Sequence, residues 1–599
     1  MRRAGAVLLT LLSALALPAA AADAAKPKVL RIAFRAAETG FDPALINDLY
    51  SRTVTPHIFE GLYTYDPLAR PAKIKPLTAA AMPEVSADFR VWTIRIKPGI
   101  HFADDPAFKG RKRELVAEDY VYTFKRFFDP ANKSPVYAGI AENGLLGLDE
   151  LREEALKNKT PFDYDRPVEG LKALDRYTLQ FRLKSPRPRF LYGLATGDLF
   201  GAVAREVIEH YPGETMAHPV GTGPFVLKQW RRSSLIVLER NPQFREMVYD
   251  AEPNADDADG QATLARFKGR RLPMIDRVEV SIIEEPQPRW LAFLNDELDA
   301  VELPEDFANQ AIPNGKLAPN LARRGITQHS IVYADVRMTM FNMEDPVIGG
   351  YTPDKVALRR AISLGFDLDR EIRLVRRQQA IKAQAGLMPH TYGYDPQLRS
   401  TNSEYDPARA KALLDLYGYV DKDGDGWRDQ PDGSPLVLEF STQSDQLSRQ
   451  LDETWQHGMN AIGVRMTLRT RQWPENLKAA RSGKLMLWMV GLSAASPDGQ
   501  PSFQRLYGPA AGGQNLARFK LDRFDELYRR SNEMADGPER LALMNEMSKL
   551  NTAYMPYKYH VHRIYTDLLQ PRLVGYKRPL FWQELWHYVD IDERPLPAR

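Results

Sequence analysis

No cysteine occurs among the 599 residues, and this absence limits the possible folds more than any other feature of the sequence. Disulfides, thiolate metal sites, cysteine nucleophiles and lipid-anchored cysteines are all excluded. The chain nevertheless begins like an exported protein, because Arg2 and Arg3 precede an apolar run over residues 4–17 and small residues up to Ala22. We therefore expect a cleaved signal peptide at residues 1–22 and a periplasmic protein that is stabilised by a sizeable packed core.

The charge of the chain gives no sign of a polyanionic partner. The sequence holds 81 Lys and Arg residues against 78 Asp and Glu residues. Because nucleic acid binding depends on a clustered basic excess, we expect no nucleic acid partner. After the leader, no stretch is long and apolar enough to span a bilayer.

Helical and strand-like periodicities alternate along the chain, which predicts a mixed α/β fold. Strand-like alternation predicts one hairpin over residues 91–104 around Pro98-Gly99, and another that pairs residues 225–230 with residues 235–244. Helical spacing predicts helices over residues 116–128 and 288–295 and two consecutive helices within 354–377. Residues 250–273 have little periodicity and are predicted to form an exposed loop.

Catalytic and nucleotide-binding motifs are missing from the sequence. It contains no G-x-S-x-G, phosphate-binding loop, G-x-G-x-x-G after a strand or H-E-x-x-H. His560 and His562 alternate along a predicted strand, where packing is favoured over metal binding. We therefore expect a protein that is not an enzyme.

An acidic stretch, "DKDGDGWRDQPD" at residues 421–432, follows the spacing of a calcium-binding loop. Its candidate ligands are Asp421, Asp423, Asp425 and Asp432, and Gly426 occupies the position of the sharp turn. The twelfth position holds Asp where Glu is usual, and a strand follows where a helix is expected. A structural calcium ion and a metal-free turn therefore both remain open, and no other cofactor is expected.

Five stretches, taken in order, resemble one family. The sequence is similar to the large periplasmic solute-binding proteins that serve dipeptide and oligopeptide ABC importers, which form family 5 of the bacterial extracellular solute-binding proteins. The stretches are "VGTGPFVLKQW" with "ERNPQF", "WLAFLNDELDA", "VALRRAISLGFDLDREI", "YGYVDKDGDGW" and "NLARFKLDRFDELY". Within this family the DKDGDGW element usually marks a turn.

The resemblance implies a two-lobed, flytrap-like binding protein with a small extra domain. Lobe I is expected from residues 23–70, 185–305 and 560–599, the small domain from 71–184, and lobe II from 306–559. A ligand in the cleft would contact both lobes and stabilise the closed state. The expected partners are a small-molecule or peptide ligand and an inner-membrane ABC permease complex, and the protein is expected to be a monomer.

The "GTGPF" element raises the question of why the chain bends immediately before a strand. Gly221 and Gly223 permit backbone conformations that are closed to other residues, and Pro224 fixes the approach to the strand. We expect an architectural role for this bend. A role in which the glycine N–H groups face a ligand remains the alternative.

The resemblance also implies candidate ligand contacts. Peptide-binding relatives hold the α-amino group with a carboxylate after a Gly-Trp pair, but here Leu492 takes the Trp position and Ala495 the acid position. Asp498 is the nearest acid, and its alternative role is a Pro-Asp-Gly turn. The other candidates, each with a structural alternative as core or loop cap, are Thr39, Gly40, Phe41, Asn342, Trp488 and Asn515.

These features predict the periplasmic receptor of an ABC importer for peptides or peptide-like solutes. The same scaffold could bind a non-peptide solute instead, such as an opine, an oligosaccharide or a sterol-like or modified compound, because a fold does not fix its ligand. A secreted hydrolase would turn over peptides or esters, and a periplasmic chaperone would bind unfolded chains broadly. Turnover and selectivity assays separate these two alternatives from a receptor.

Overall fold

The computed structural model describes residues 26–581 and 584–592. Helices and strands alternate throughout these ranges, and the chain has the two-lobed, mixed α/β architecture that the sequence predicts. The predicted signal peptide at residues 1–22 lies outside the described residues.

One sheet, here called the first-lobe sheet, combines strands from the first two segments of the predicted lobe I. Its strands run in the order Val29–Phe34, Arg277–Ile282, Leu235–Arg240, Phe225–Arg231, with the first pair parallel and the others antiparallel. The last two strands form the predicted hairpin, in which Phe225 pairs with Arg240 and Arg231 with Leu235. Ile236, Leu238 and Val280 bury one face of this sheet completely.

A second sheet, the small sheet, lies within residues 71–184. Its order is Glu84–Val85, Val91–Arg95, Thr178–Arg182, Leu171–Asp175, and helix Ala117–Phe128 packs against it. The predicted hairpin over residues 91–104 is wrong, because Val91–Arg95 pairs with the preceding strand Glu84–Val85 on one edge and with the distant strand Thr178–Arg182 on the other. After the turn, His101 instead forms a bridge with Glu114. The proposed limits of the small domain remain a prediction.

The hinge sheet is built around the nine-residue strand Val561–Leu569. Strands Ala300–Glu302, Thr327–Val332 and Ala380–Lys382 all pair with it in antiparallel fashion. The chain enters it directly from Tyr557–Tyr559, the last strand of the next sheet. This short segment of chain therefore joins the two lobes through continuous backbone.

The second-lobe sheet has the order Arg465–Thr470, Val437–Thr442, Leu487–Ser493, Asp335–Phe341, Tyr557–Tyr559. Buried Trp455, from helix Gln446–Ala461, lies in the core behind it. The two helices predicted within 354–377 are present as Pro353–Gly365 and a second helical segment from Leu368 to Val375. The other long helices of this lobe are Pro407–Leu416, Trp473–Arg481, Asp522–Glu533 and Pro538–Tyr554.

The lobes touch each other in this structure. A continuous cluster of buried apolar side chains extends from Ile94 and Phe181 on the small sheet to Met338 and Trp488 on the second-lobe sheet. In this structure lobe II therefore packs against the part of the chain that carries the small sheet.

The "GTGPF" bend has an architectural role, but for a different reason from the predicted one. Neither Gly221 nor Gly223 has a positive φ. A Cβ atom would instead lie 2.1 Å from the carbonyl oxygen of Ile58 at the first position and 2.6 Å from it at the second. The Gly223 N–H donates to that same oxygen at 2.8 Å. Close approach of two backbone segments explains both glycines.

The segment at residues 250–273 is not the predicted exposed loop, because it contains helix Ala258–Phe267. The Asp257 side chain caps this helix by accepting the Gly260 N–H at 3.0 Å. Phe267 is fully buried against Tyr249, with ring centroids 5.5 Å apart. One buried ring and a good cap suffice to anchor a helix whose apolar pattern is too sparse to recognise. The helix predicted at 288–295 is present as Pro286–Leu294.

Candidate ligand-binding site

A cavity of about 380 Å³ lies against the second-lobe sheet, and we refer to it as the arginine cavity. Its wall comes from the paired strands Asp335–Phe341 and Leu487–Ser493 and from helix Trp473–Arg481. Its volume falls within the range of about 300–1,000 Å³ that is typical of small-molecule sites.

Two indole rings form the apolar wall of this cavity. Trp488 and Val490 alternate along one strand, so both face the cavity, whereas Leu487 packs into the core behind the sheet. Trp473 lies across from Trp488, with ring centroids 6.1 Å apart, and is more than half exposed. The Nε1–H of Trp488 is buried and has no hydrogen-bond acceptor among the described residues. Trp488, a residue suggested by the sequence, therefore lies in the cavity wall.

The charge of this cavity comes from side chains that the sequence analysis missed. Arg337 and Arg505 both line it, and neither forms an ion pair with any described carboxylate. Their Nε atoms are buried without hydrogen-bond partners. The only sequence signal is that Arg337 is the one charged residue in the stretch "VRMTMF", residues 336–341.

Burial changes the proton affinity of both groups. Desolvation and repulsion from Arg563 lower the pKa of Arg337 to about 10, and burial also lowers the pKa of Arg505. Both guanidinium groups still carry their charge at neutral pH. The one carboxylate among the described lining residues, Asp335, is held by Arg563 at 2.5 Å. The cavity is therefore electropositive.

Asp498, the nearest acid to the position expected for amine recognition, lies between two arginines. Its Oδ1 accepts from Arg540 Nη2 at 2.6 Å, and its Oδ2 lies 2.9 Å from Arg189 Nε. Arg540 is fully buried and Asp498 is nearly so. Both carboxylate oxygens are therefore engaged by arginines, and the charge of Asp498 is already balanced within the protein. Ala495 is exposed and supplies no charge.

Arg189 connects the two lobes through this carboxylate. It lies in predicted lobe I and also donates to the carbonyl oxygens of Met534 and Asn532 in lobe II, each at 2.7 Å. A second cavity of about 540 Å³ lies beside it, between Glu142 and Arg187 on one side and helix Asp522–Glu533 on the other. Asp498 lines this interlobe cavity and not the arginine cavity.

The side chains of the two candidate asparagines are engaged by backbone groups of the protein, Asn515 within its own loop and Asn342 both locally and with a distant turn. Asn342 Nδ2 donates to Gly483 O at 3.0 Å, and its Oδ1 accepts the Glu344 N–H at 3.1 Å. Asn515 Nδ2 donates to Phe519 O at 2.8 Å, and its Oδ1 accepts the N–H of the same residue at 3.2 Å. These bonds match the loop-cap alternative, and a ligand contact of either residue stays a prediction.

The candidates in the first loop lie in lobe I and line neither cavity. Phe41 is fully buried against Trp230, with ring centroids 4.9 Å apart. Gly40 has a φ of +151°, and a Cβ there would meet the Met216 side chain. Thr39 Oγ1 donates to Asp48 at 2.6 Å. Each residue thus has a local structural role, and contact with ligand remains untested.

The acidic loop at residues 421–432 brings together only part of the predicted calcium ligands. Oxygen atoms of Asp421, Asp423 and Asp429 lie within 4.8 Å of one another. Asp425 instead pairs with Arg465 at 2.5 Å, and Asp432 accepts the N–H of Ser434 at 2.9 Å. Asp421 also accepts the N–H groups of Gly424 and Gly426, as in a metal-free turn. Calcium binding stays a prediction.

His560 and His562 form hydrogen bonds with different partners. His560 Nδ1 lies 2.9 Å from Glu371, and its Nε2 lies 2.9 Å from Thr339 Oγ1. His562 Nδ1 lies 2.6 Å from the carbonyl oxygen of Asp335. Both rings are buried, which agrees with a packing role. No helix in the described ranges is long and apolar enough to cross a membrane.

Comparison with known proteins identifies the family. The sequence model described as "Bacterial extracellular solute-binding proteins, family 5 Middle" matches residues 73–514. The chain belongs to this family. Family membership accounts for the five ordered motifs and for the two-lobed fold.

Three relatives illustrate the range of this solute-binding family. "Di/tripeptide-binding protein 2" of Pseudomonas aeruginosa is 28% identical over 94% of this chain and 95% of its own. The "Probable deoxycholate-binding periplasmic protein YgiS" of Escherichia coli is 24% identical over 89% and 88%. The structure of DppA from Helicobacter pylori, in complex with peptide STSA, matches with a TM-score of 0.69 at 21% identity, over 95% and 99% of the two chains.

Proposed function

We propose that this family-5 solute-binding protein is the periplasmic receptor of an ABC importer and captures a peptide or peptide-like solute in the arginine cavity. It would deliver that solute, as a monomer, to an inner-membrane permease. The name of the Pseudomonas relative, a di/tripeptide-binding protein that aligns over nearly the full length of both chains, supports this class of ligand.

One observation on the second-lobe sheet carries the proposal. Strand Leu487–Ser493 pairs with Asp335–Phe341 along its whole length, but Val437–Thr442 on its other side reaches only Leu487 and Trp488. The edge from Met489 to Ser493 thus has no partner strand among the described residues, and it borders the cavity. An extended peptide backbone can add to such an edge through main-chain hydrogen bonds.

Transport would follow from binding without covalent chemistry. Arg189 already ties predicted lobe I to lobe II through Asp498. A ligand in the arginine cavity that contacts Arg563 of predicted lobe I as well as the second-lobe strands would bind the closed state more tightly than the open one, and would shift the population by that difference in affinity. The permease would then recognise the closed pair of lobes.

A non-peptide solute is the second candidate, because no free carboxylate lies at the position where an α-amino group is expected to bind. Ala495 occupies the position expected to bind an α-amino group, and Asp498 is engaged by arginines. A relative carries the name of a deoxycholate-binding protein, so the scaffold does not dictate a peptide.

Thermal unfolding of the ligand-stripped protein tests the proposal. The purified chain is unfolded, dialysed, refolded and mixed with pools of dipeptides, tripeptides and bile acids. A binding pool at one hundred times its dissociation constant raises the free energy of unfolding by about 2.7 kcal/mol. Stabilisation by peptide pools is the expected result, whereas stabilisation by the bile acid pool alone would replace the peptide assignment with the second candidate.

A further inference from the structure

The arginine cavity has an unbalanced charge. Its described lining includes four arginines, Arg337, Arg481, Arg505 and Arg563, and only one carboxylate, that of Asp335. The carboxylate is already paired with Arg563 at 2.5 Å. Arg337, Arg481 and Arg505 therefore have no carboxylate partner among the described residues, and of these three Arg481 is exposed to solvent whereas Arg337 and Arg505 are partly buried.

Unpaired arginines in a cavity are energetically unfavourable when no ligand is bound. Arg337 and Arg505 are partly buried, and a guanidinium group that loses part of its hydration without gaining an anion is destabilised. The buried Nε atoms of Arg337 and Arg505 add two unused hydrogen-bond donors to the same cavity. The missing negative charge and the missing acceptors would both be supplied by an anionic ligand.

The backbone also makes room for one of these arginines. Arg337 pairs with Gly491 across the two strands. A Cβ atom at Gly491 would lie 2.4 Å from Arg337 Nη1. Glycine at this position therefore allows the guanidinium group to lie over the neighbouring strand, at the edge that is open to a ligand backbone.

Nothing in the described lining of this cavity matches an ammonium group. Asp335 is engaged, Ala495 carries no charge, and Asp498 lines the other cavity between Arg189 and Arg540. A free α-amino group would have to be desolvated beside arginines of the same charge, which is repulsive.

We propose, on the basis of the function proposed above, that the arginine cavity selects peptide-like anions whose amino end is blocked or absent, and that Arg337 and Arg505 bind the ligand carboxylate. N-acylated short peptides are the simplest members of this class. The two arginines are binding residues for the ligand, and Gly491 positions Arg337.

The test uses the unmodified protein and four chemical forms of one tripeptide pool: free, N-acetylated, C-amidated, and modified at both ends. Ligand-stripped protein is screened by thermal shift, and the tightest-binding sequence is then titrated calorimetrically in all four forms. We expect N-acetylation to preserve or improve affinity. Amidation should weaken binding by about tenfold or more, because it removes a charge-assisted contact.

Variants assign the carboxylate site. Arg337→Gln and Arg505→Gln should each weaken binding of the N-acetylated peptide about tenfold and remove the preference for carboxylate over amide. Arg337→Lys should retain part of that preference. Arg529→Gln makes the same change at an arginine in the interlobe cavity and should leave binding unaltered.

The outcomes separate this inference from the proposed function. The inference would be overturned if free peptides bind but their N-acetylated forms do not, or if C-amidation leaves the affinity unchanged. Either result would still be consistent with the proposed function as a peptide receptor. If no peptide form binds, glutarate is titrated as an amine-free dicarboxylate. Binding that depends on Arg337 would then support the inference and overturn the peptide assignment, and the absence of any binding would overturn both.

Discussion

Replacing Asp498 with asparagine tests whether this residue holds the lobes together or holds a ligand. The substitution keeps the shape of the side chain but removes the charge between Arg540 Nη2 at 2.6 Å and Arg189 Nε at 2.9 Å. Removing one partner of a buried ion pair costs about 3–5 kcal/mol. We expect a loss near the lower end, about 3 kcal/mol, because Asp536 still lies 2.6 Å from Arg540.

The assay is urea unfolding followed by far-ultraviolet circular dichroism, combined with small-angle X-ray scattering of the native protein. Arg189→Gln is the matched variant, because it removes the guanidinium group that predicted lobe I contributes to this contact but leaves Asp498 paired with Arg540. We expect Arg189→Gln to destabilise by about 1.5–3 kcal/mol, the usual worth of hydrogen bonds to charged groups, and to increase the radius of gyration.

A different result would refute this reasoning. If Asp498→Asn changed the free energy of unfolding by less than about 0.5 kcal/mol, which is typical of surface substitutions, its ion pairs would not be structural. If the same variant lost the binding of peptides with a free amino end, Asp498 would be the ligand acid. The inference about the arginine cavity would then also fail.

Three further predictions concern single positions. Gly491→Ala should displace the Arg337 guanidinium and weaken anionic ligands about tenfold in calorimetry, with little change in stability. Gly221→Ala places a Cβ atom 2.1 Å from Ile58 O and should lower the free energy of unfolding by about 1–3 kcal/mol in urea. Burial holds the pKa of His57 at about 3, below its ordinary 6.5. Between pH 6.5 and pH 3 the unfolded chain therefore binds a proton on this imidazole that the folded chain does not bind. Stability should therefore fall, as pH drops below 6.5, by about 1.4 kcal/mol per unit from this residue.

Each of these predictions has a control. Gly139→Ala introduces the same methyl group into open space on a helix and should not destabilise. His57→Gln should reduce the slope of stability against pH, which is measured from urea midpoints. An unchanged slope would mean that other groups govern acid unfolding. Retention of ligand affinity by Gly491→Ala would show that Arg337 does not depend on the space beside the strand.

Local sequence predicted the elements whose partners lie nearby. The hairpin of Phe225–Arg231 with Leu235–Arg240 joins strands across a short turn, and its two strands were recognisable as partners from the sequence. Strand Val91–Arg95 had an equally clear pattern, but its partner Thr178–Arg182 lies far along the chain. Periodicity identifies a strand and the face that it buries, but it contains no information about a distant partner.

The same limit applied to the candidate site. Trp488 was found because it lies in a motif, and the structure places it in the cavity wall. Arg337 and Arg505 belong to no motif, and their importance lies in the acids that are missing around them in space. Asp498 looked available for a ligand because Arg189 and Arg540, which engage it, are remote in sequence. Charge balance in a cavity is a three-dimensional property.

The return of the chain end to lobe I constrains when this protein can fold. Strand Val561–Leu569 is the common partner of every other strand in the hinge sheet. The backbone N–H of Trp586 donates to His57 Nε2 at 3.0 Å, and Asp590 pairs with Lys28 near the start. Neither lobe I nor the hinge is complete until the last forty or so residues are available, and contacts of such long range form slowly. A chain still being synthesised would therefore remain incompletely folded in both lobe I and the hinge sheet.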